Sequence, residues 1–403
     1  MKVLIISSVF PPMRAPEADH ILHLSSRLAD RGLEVHVLTT GGSALANGFS
    51  FHVHPIMRNW SWSDLPRFVK FLKSCAPDII LLHYVPWIYN DHPMITFAPT
   101  VSKRIFPSVR FVTQFTSVAS APPYRCSLMT RMLRKGLLLW ASGKNVSYDF
   151  GTLLRDSDQI IVMSDGHRAA LAKRFALVDR KNVLIPPPPI MYMCPDNNGS
   201  ARKRGREAVK LAEDDFVIIY LGYLYPGKGI EYLLRAFDMV LRTRSNVSLV
   251  LVGGIIGRNS SRVHDYVQEL HDLCRQLKID DRVRWTGEYA WDSDEGSMYL
   301  RAADLCVLPF DGGVNLNNSS FAAAAAHGLP VVTTKGESLD YPLVHQENVY
   351  LCAPKNPEGL GVAIATLIDQ PKVREKLCVG ALELAREWYS WDRAVERTVA
   401  TFF

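Results

Sequence analysis

The chain has 403 residues, more than one hydrophobic core accommodates, so two domains are expected. A composition 48% hydrophobic and 21% charged excludes a disordered chain, and a net charge of +6 suits an anionic partner, whether nucleotide, nucleic acid or acidic membrane surface. The seven cysteines are scattered and odd in number with no CxxC, which argues against a zinc site or a disulfide framework.

Lys2 to Ser8 (KVLIISS) is an apolar run with the length of a buried strand. Met1 to Phe10 is too short for a signal peptide and runs into Pro11–Pro12. No stretch approaches the ~20 apolar residues of a membrane span, so a cytoplasmic protein is expected. A helix follows from about Glu17 to Arg31, with Ile21, Leu24 and Leu28 on one face, then a strand, Glu34 to Thr39. This βαβ unit opens a parallel sheet. After a helix near Asp64 to Cys75 come strands at Asp78 to His83, Val109 to Phe115, Asp158 to Met163 and Val183 to Ile185, with a helix around Gly166 to Ala176. Strand ends in such a sheet face the ligand crevice, which places Ser7, Ser8, His83, Tyr84, Gln114 and Ser164 beside it.

Pro186 to Pro189 is a stiff extended segment, and the Pro/Asn/Gly/Ser-rich residues up to Ser200 mark a domain boundary. The pattern then restarts. Strands are expected at Phe216 to Gly222, Val247 to Gly253 and Val283 to Gly287, and helices at Ile230 to Arg242 and Val263 to Leu277. The strand Asp304 to Pro309 leads into a Gly/Asn/Asp loop to Asn318. Ser319 or Ser320 then caps a helix through the Ala322 to Ala326 run, Gly328 ends it, and Leu329 to Thr333 is a further strand. Asn348 to Cys352 and the helix Pro357 to Leu367 complete the half. Two tandem Rossmann-like α/β domains facing a central cleft are the expected fold class.

Two features point to an anion. The loop and helix start at Ser319–Ser320 offer free N–H groups and a positive dipole end. LGYLYPGKG, Leu221 to Gly229, leaves a strand and enters a helix, so Lys228 can reach a phosphate there, although Gly229 after the lysine breaks the Walker A spacing. Together they suggest a diphosphate clamp, with Gly222, Gly253 and Gly254 allowing close backbone approach. Arg125 to Lys144 intersperses basic and apolar residues, as either a core-facing helix with a solvated basic face or a helix lying on an anionic membrane would. Ala201 to Lys210 (ARKRGREAVK) reads as a solvated helix, because nucleic-acid binding would call for interleaved aromatics. His83, His92, His167 and His327 have no metal-ligand spacing, so no metal is expected.

On the motifs LGYLYPGKGIEYLLRAF, LVLVGG, VRWTGEY, ADLCVLPF and HGLPVVTT, the chain resembles a GT-B glycosyltransferase of family 4, the retaining, nucleotide-sugar-dependent group. The resemblance implies an acceptor-binding domain over 1–188, joined by a returning terminal helix at 388–403, and a donor-binding domain over 189–387. It implies transfer from a UDP- or GDP-sugar to a saccharide, lipid-linked or small-molecule acceptor at the membrane's inner face, with no cofactor and no metal. Nucleic acid is not among the expected partners. Lys228 matches the family's phosphate-binding lysine. Tyr223 stands where an arginine is usual, and the E-x7-E glutamates fall on Asn315 and Ala323. The implied catalytic set is Lys228, Asp311 and Asn315, with Asp311 in part replacing the lost acid. Gly222, Tyr223, Gly253, Gly254, Glu288, Tyr289, Asn315, Asn318, Ser319 and Ser320 would complete the donor site. Arg14, Glu17, His83 and Gln114 would meet the acceptor. The lost glutamates leave open a nucleotide-sugar-binding scaffold, and the two-sheet fold also suits a nucleotide-sugar epimerase or hydrolase.

Overall fold

The computed structural model describes residues 1–13, 15–42, 48–118, 132, 136, 149–195, 199–255, 261–290 and 292–403. Arg14 and all but two positions of the basic stretch 125–144 lie outside the described residues. Contacts divide the chain into two compact units, Met1–Pro186 with Trp391–Phe403, and Pro187–Ser390. Among the described residues no helix is long and apolar enough to cross a membrane.

The first unit holds a parallel sheet of β1 (Lys2–Ile6), β2 (Glu34–Thr40), β3 (His52–Met57), β4 (Ile79–Tyr84), β5 (Arg110–Phe115), β6 (Gln159–Val162) and β7 (Asn182–Leu184). Their order is β3-β2-β1-β4-β5-β6-β7. The helices are α1 (Pro16–Asp30), α2 (Leu65–Cys75), α3 (Ala98–Ile105), α4 (Leu153–Asp156), α5 (Asp165–Ala172) and α6 (Val178–Lys181). Strands β1, β4 and β5 are near-continuous apolar runs because helices cover both faces of a parallel sheet, and Val3 to Ile6 and Ile80 to Leu82 are fully buried. Strand β3, HVHPIM, carries no such run. It is an edge strand, alternately buried and open, where Pro55 does least harm to the ladder.

The second unit holds α7 (Ser200–Ala208), β8 (Phe216–Leu221), α8 (Ile230–Leu241), β9 (Val247–Val252), α9 (Ser261–Leu277), β10 (Val283–Gly287), α10 (Glu295–Ala302), β11 (Leu305–Leu308), α11 (Ser319–Ala326), β12 (Val331–Thr334), β13 (Tyr350–Cys352), α12 (Pro357–Asp369) and α13 (Pro371–Trp388). The sheet order is β10-β9-β8-β11-β12-β13, again parallel. The last helix, α14 (Trp391–Ala400), belongs to the first unit.

The basic run is a helix solvated on one side only: Lys203, Arg204 and Lys210 are exposed, while two of its arginines turn inward. Arg202 and Arg206 on α7 pair with the two oxygens of Asp304 at 2.6 and 3.0 Å, and Asp304 Oδ2 also accepts from the Val217 N–H at 2.8 Å. Arg206 is buried and donates to the Ala212, Glu213 and Asp215 carbonyls. The arginines therefore lock the starts of β8 and β11 together.

In each sheet the strand order reverses direction at one place, between β1 and β4 and between β8 and β11. Ligands of open parallel sheets bind outside the carboxyl ends of the strands at that place, because the flanking loops diverge and leave a crevice.

Candidate functional site

At the β8–β11 switch point two loops meet. The loop leaving β8 turns at Gly222, Gly227 and Gly229, all with positive φ. At Gly229 a Cβ would lie 1.9 Å from the Pro309 carbonyl oxygen, so only glycine lets this loop press against the end of β11. The Asp311 N–H donates to the Gly227 carbonyl at 3.1 Å and ties the loops together. Between them sits Lys228, half-buried, with Nζ 4.9 Å from the ring centres of both Tyr225 and Phe310. Two aromatic faces hold the ammonium by cation–π attraction and leave its N–H donors for an anion.

The second loop is fixed from below. The Val314 N–H donates to Thr334 O at 2.8 Å, the Leu316 N–H to Asp340 Oδ2 at 2.9 Å, and the Thr334 hydroxyl to Phe310 O. It delivers the chain to α11. Asn318, not Ser319 or Ser320, is the N-cap residue, and its side chain turns away from the helix: Oδ1 accepts from the Asn315 N–H at 2.7 Å. No side chain caps α11, and the half-buried Ser319 and Ser320 occupy its first turn, their hydroxyls without a hydrogen bond to the described residues. First-turn N–H groups, two hydroxyls and the positive dipole end are thus left for a negatively charged ligand.

Other expected residues support this site from behind. A Cβ at Gly253 would lie 2.2 Å from Gly222 O, and one at Gly254 would lie 1.9 Å from Glu288 Cγ. Those glycines bring the ends of β8 and β9 together and seat the Glu288 side chain. The Tyr289 ring packs likewise on Gly296. Asn315 Oδ1 is committed to the Asn317 N–H at 2.9 Å, while Ala323 is buried inside α11. His327 is structural. Burial lowers its pKa to about 4, its Nδ1–H donates to Ala323 O at 2.7 Å, and its Nε2 accepts from Ser297 Oγ at 2.6 Å. Composition and spacing did not single out Glu231, whose carboxylate accepts from the Tyr266 hydroxyl at 2.5 Å beside Lys228's loop. Burial, then Glu231, pushes that phenol's pKa upward.

At the β1–β4 switch point the polar groups are of another kind. Glu17 and His20 lie one turn apart on α1, and His83 and Gln114 at the ends of β4 and β5; all four are buried. Gln114 Nε2 donates to His20 Nε2 at 3.1 Å, so the imidazole hydrogen sits on Nδ1. The His20 ring lies 5.6 Å from His83 and 5.5 Å from Trp391, and His83 Nε2 is 3.2 Å from Thr116 Oγ1. Among the described residues four buried atoms find no partner: Glu17 Oε2, His20 Nδ1, His83 Nδ1 and Gln114 Oε1. Burial, then His83 and His23, lowers the His20 pKa to about 3; burial alone lowers His83 to about 4 and raises Glu17 to about 7. At neutral pH both imidazoles are uncharged, and the Glu17 carboxyl is held partly protonated by its burial. Ser164, in contrast, caps α5 by accepting from the His167 N–H. The sequence pattern of α1 contains His20, but periodicity marks it only as one more inward position.

Residues 215–370 match the family described as Glycosyl transferases group 1, and residues 18–188 match Glycosyltransferase Family 4. The chain belongs to glycosyltransferase family 4. An uncharacterized glycosyltransferase of Methanocaldococcus jannaschii is 30% identical to this family 4 chain over 201 residues, 49% of this chain and 47% of that protein. A D-inositol 3-phosphate glycosyltransferase of Thermomonospora curvata is 28% identical over 235 residues, 56% of this chain and 51% of that protein. The family 4 chain spans about half the length of these curated relatives. The structure of Anabaena HepE in complex with UDP is similar at a TM-score of 0.72 and 17% identity, over 100% of this chain and 99% of that one, which shows the shared GT-B fold.

Proposed function

We propose that the protein transfers a sugar, with retention, from a UDP- or GDP-sugar to the hydroxyl of an acceptor. The observation that carries this reading is the pairing of Lys228 with the uncapped start of α11, on two loops joined through Asp311 and Gly227. As the bond from the sugar's anomeric carbon to the phosphate oxygen breaks, negative charge builds on the leaving diphosphate. Lys228, the first-turn N–H groups of α11 and the hydroxyls of Ser319 and Ser320 meet that charge with donors already in place. These donors supply the positive charge that a divalent ion supplies elsewhere, so the reaction proceeds without a metal or cofactor. Asp311 and the free amide of Asn315 are assigned to the donor sugar, and Tyr223, Glu288 and Tyr289 to the nucleoside side of the site.

The acceptor is assigned to the first unit, at Glu17, His83 and Gln114, joined by His20. A saccharide, lipid-linked saccharide or small polyol offers hydroxyls that both give and accept hydrogen bonds, which suits the four unpartnered atoms there. The basic and apolar sequence of 125–144 supports an acceptor presented at an anionic membrane surface on the cytoplasmic side.

The replacement of both family glutamates, by Asn315 and Ala323, favours a second reading, a nucleotide-sugar-binding subunit without turnover. Calorimetry with UDP and GDP, with and without magnesium, followed by a donor-hydrolysis and acceptor screen, tests both. Metal-independent binding with turnover is the expected result. Binding without turnover selects the second reading, and no binding overturns both.

A further inference from the structure

Beside the phosphate-side groups lies an ion pair whose lysine has no part in that scheme. Lys355, in the loop after β13, brings Nζ within 3.5 Å of Asp311 Oδ2. The other carboxylate oxygen, Oδ1, is buried and accepts no hydrogen bond from the described residues. A buried carboxylate oxygen without a donor is unfavourable, and a ligand hydroxyl would relieve it. Asp311 is also well placed for such a ligand. Its N–H holds the Gly227 carbonyl next to Lys228, and the ring of the preceding Phe310 touches the Lys228 ammonium.

The backbone of Lys355 is the second observation. Its φ is +56°, in the left-handed region where glycine is least strained and a β-carbon is disfavoured. The lysine side chain is 59% exposed, so neither packing nor a solvent-screened ion pair accounts for a lysine at this position. With Asn315 and Ala323 in place of acids, Asp311 is the carboxylate that this loop carries.

We propose that Lys355 is a positioning residue of the donor site, holding Asp311 through Oδ2 so that Oδ1 accepts a hydroxyl of the sugar carried on the nucleotide. This rests on the donor reading above, in which Lys228 and α11 hold the diphosphate and bring the attached sugar to Asp311. Lys355 itself touches neither phosphate nor sugar.

The test is calorimetry on the full chain with UDP, UDP-glucose, GDP and GDP-mannose as probes. For whichever base the unaltered protein binds, Lys355→Met should leave the nucleoside diphosphate Kd within about twofold and weaken the nucleotide sugar by about five- to twentyfold. Lys355→Arg should restore most of the loss. Adding Lys355→Met to Asp311→Asn should weaken sugar-nucleotide binding by no more than about twofold further, since both act through one carboxylate. Lys355→Gly, which relieves the backbone, should show the same binding loss with a Tm no lower than the unaltered protein. Equal weakening of both ligand types would make Lys355 a phosphate ligand and overturn the proposal. So would unchanged binding of both, additive losses in the double variant, or a lower Tm for Lys355→Gly. Failure of the unaltered protein to bind UDP or GDP would instead bring down the donor reading on which this inference stands.

Discussion

At the ends of β1 and β4 the polar side chains are two neutral imidazoles, an amide and a carboxyl of raised pKa, buried and short of partners among the described residues; at the ends of β8 and β11 they are a cation, two hydroxyls and main-chain N–H groups, half-buried and uncapped. The strand order reverses in the same way at both places, so topology alone does not distinguish them. The difference lies in what the loops carry. Gly222, Gly227 and Gly229 let the second unit's loop carry Lys228 against the end of β11, whereas α1 in the first unit carries Glu17 and His20 on its buried face. A crevice built from backbone and one lysine recognises charge. One built from neutral imidazole, amide and a carboxyl of raised pKa suits hydroxyl geometry.

That contrast can be broken by experiment. The largest effect is expected at Lys228. Lys228→Ala should cut turnover by roughly 10²–10³ with Tm unchanged, because its ammonium touches ring faces and not the core. A full-strength enzyme with alanine at 228 would remove the charge-reading role from the second site. Next is His20→Ala, which leaves a cavity and strips Gln114 of its one hydrogen bond. Denaturant unfolding should register a loss of about 2–4 kcal/mol, and a loss below about 0.5 kcal/mol would mean the cluster is not packed as described.

Acidification should act on the first site with a definite sign. His20 and His83 titrate near 3 and 4 when folded, against 6.5 ordinarily. The unfolded chain therefore binds more protons through this window, and stability falls as the pH drops from about 6.5 toward 4.5, by up to about 1.4 kcal/mol per unit for each histidine. Glu17 has the opposite sign. Its folded pKa of about 7 against 4.5 makes its contribution full at low pH and lost as pH rises through 7. Glu17→Gln should thus steepen the acid loss and raise the denaturant midpoint at pH 8; an unchanged profile would show Glu17 ionised throughout. The smallest effect is expected for Asn318→Ala, about 1 kcal/mol for one lost side-chain bond, with weaker nucleoside diphosphate binding as the loop before α11 loosens.

The strands at the centre of each sheet could be read from the sequence because burial on both faces demands continuous apolar runs, as in KVLII and FVIIYL. Strand β3 could not, since an edge strand tolerates His52, His54 and Pro55. Lys228 stands out in the sequence only when LGYLYPGKG is read together with the helix start at Ser319–Ser320, because a lone loop lysine is ordinarily solvated. The cap of α11 was misread because Asn318 and the serines are equally good caps, and only the demand of the Asn315 N–H decides which way Asn318 turns. Lys355 was invisible, since its partner is 44 positions away and meets it only through the strand order β11-β12-β13. The arginines of α7 looked like surface charge because nothing in ARKRGREAVK names Asp304.

Helix α14 carries a consequence for how the molecule is made. Arg110 Nε donates to Thr401 O at 2.7 Å across 291 positions, Arg397 donates to Leu184 O, and Trp391 lies against His20 and beneath Arg27. The first unit is therefore finished by a helix that leaves the ribosome after the whole second unit. At ~5–20 residues per second, roughly 10–40 s of synthesis separates the emergence of β7 from that of α14. For that interval the nascent chain exposes the α1 surface and the half-built histidine cluster while an entire second unit is produced and folds ahead of it.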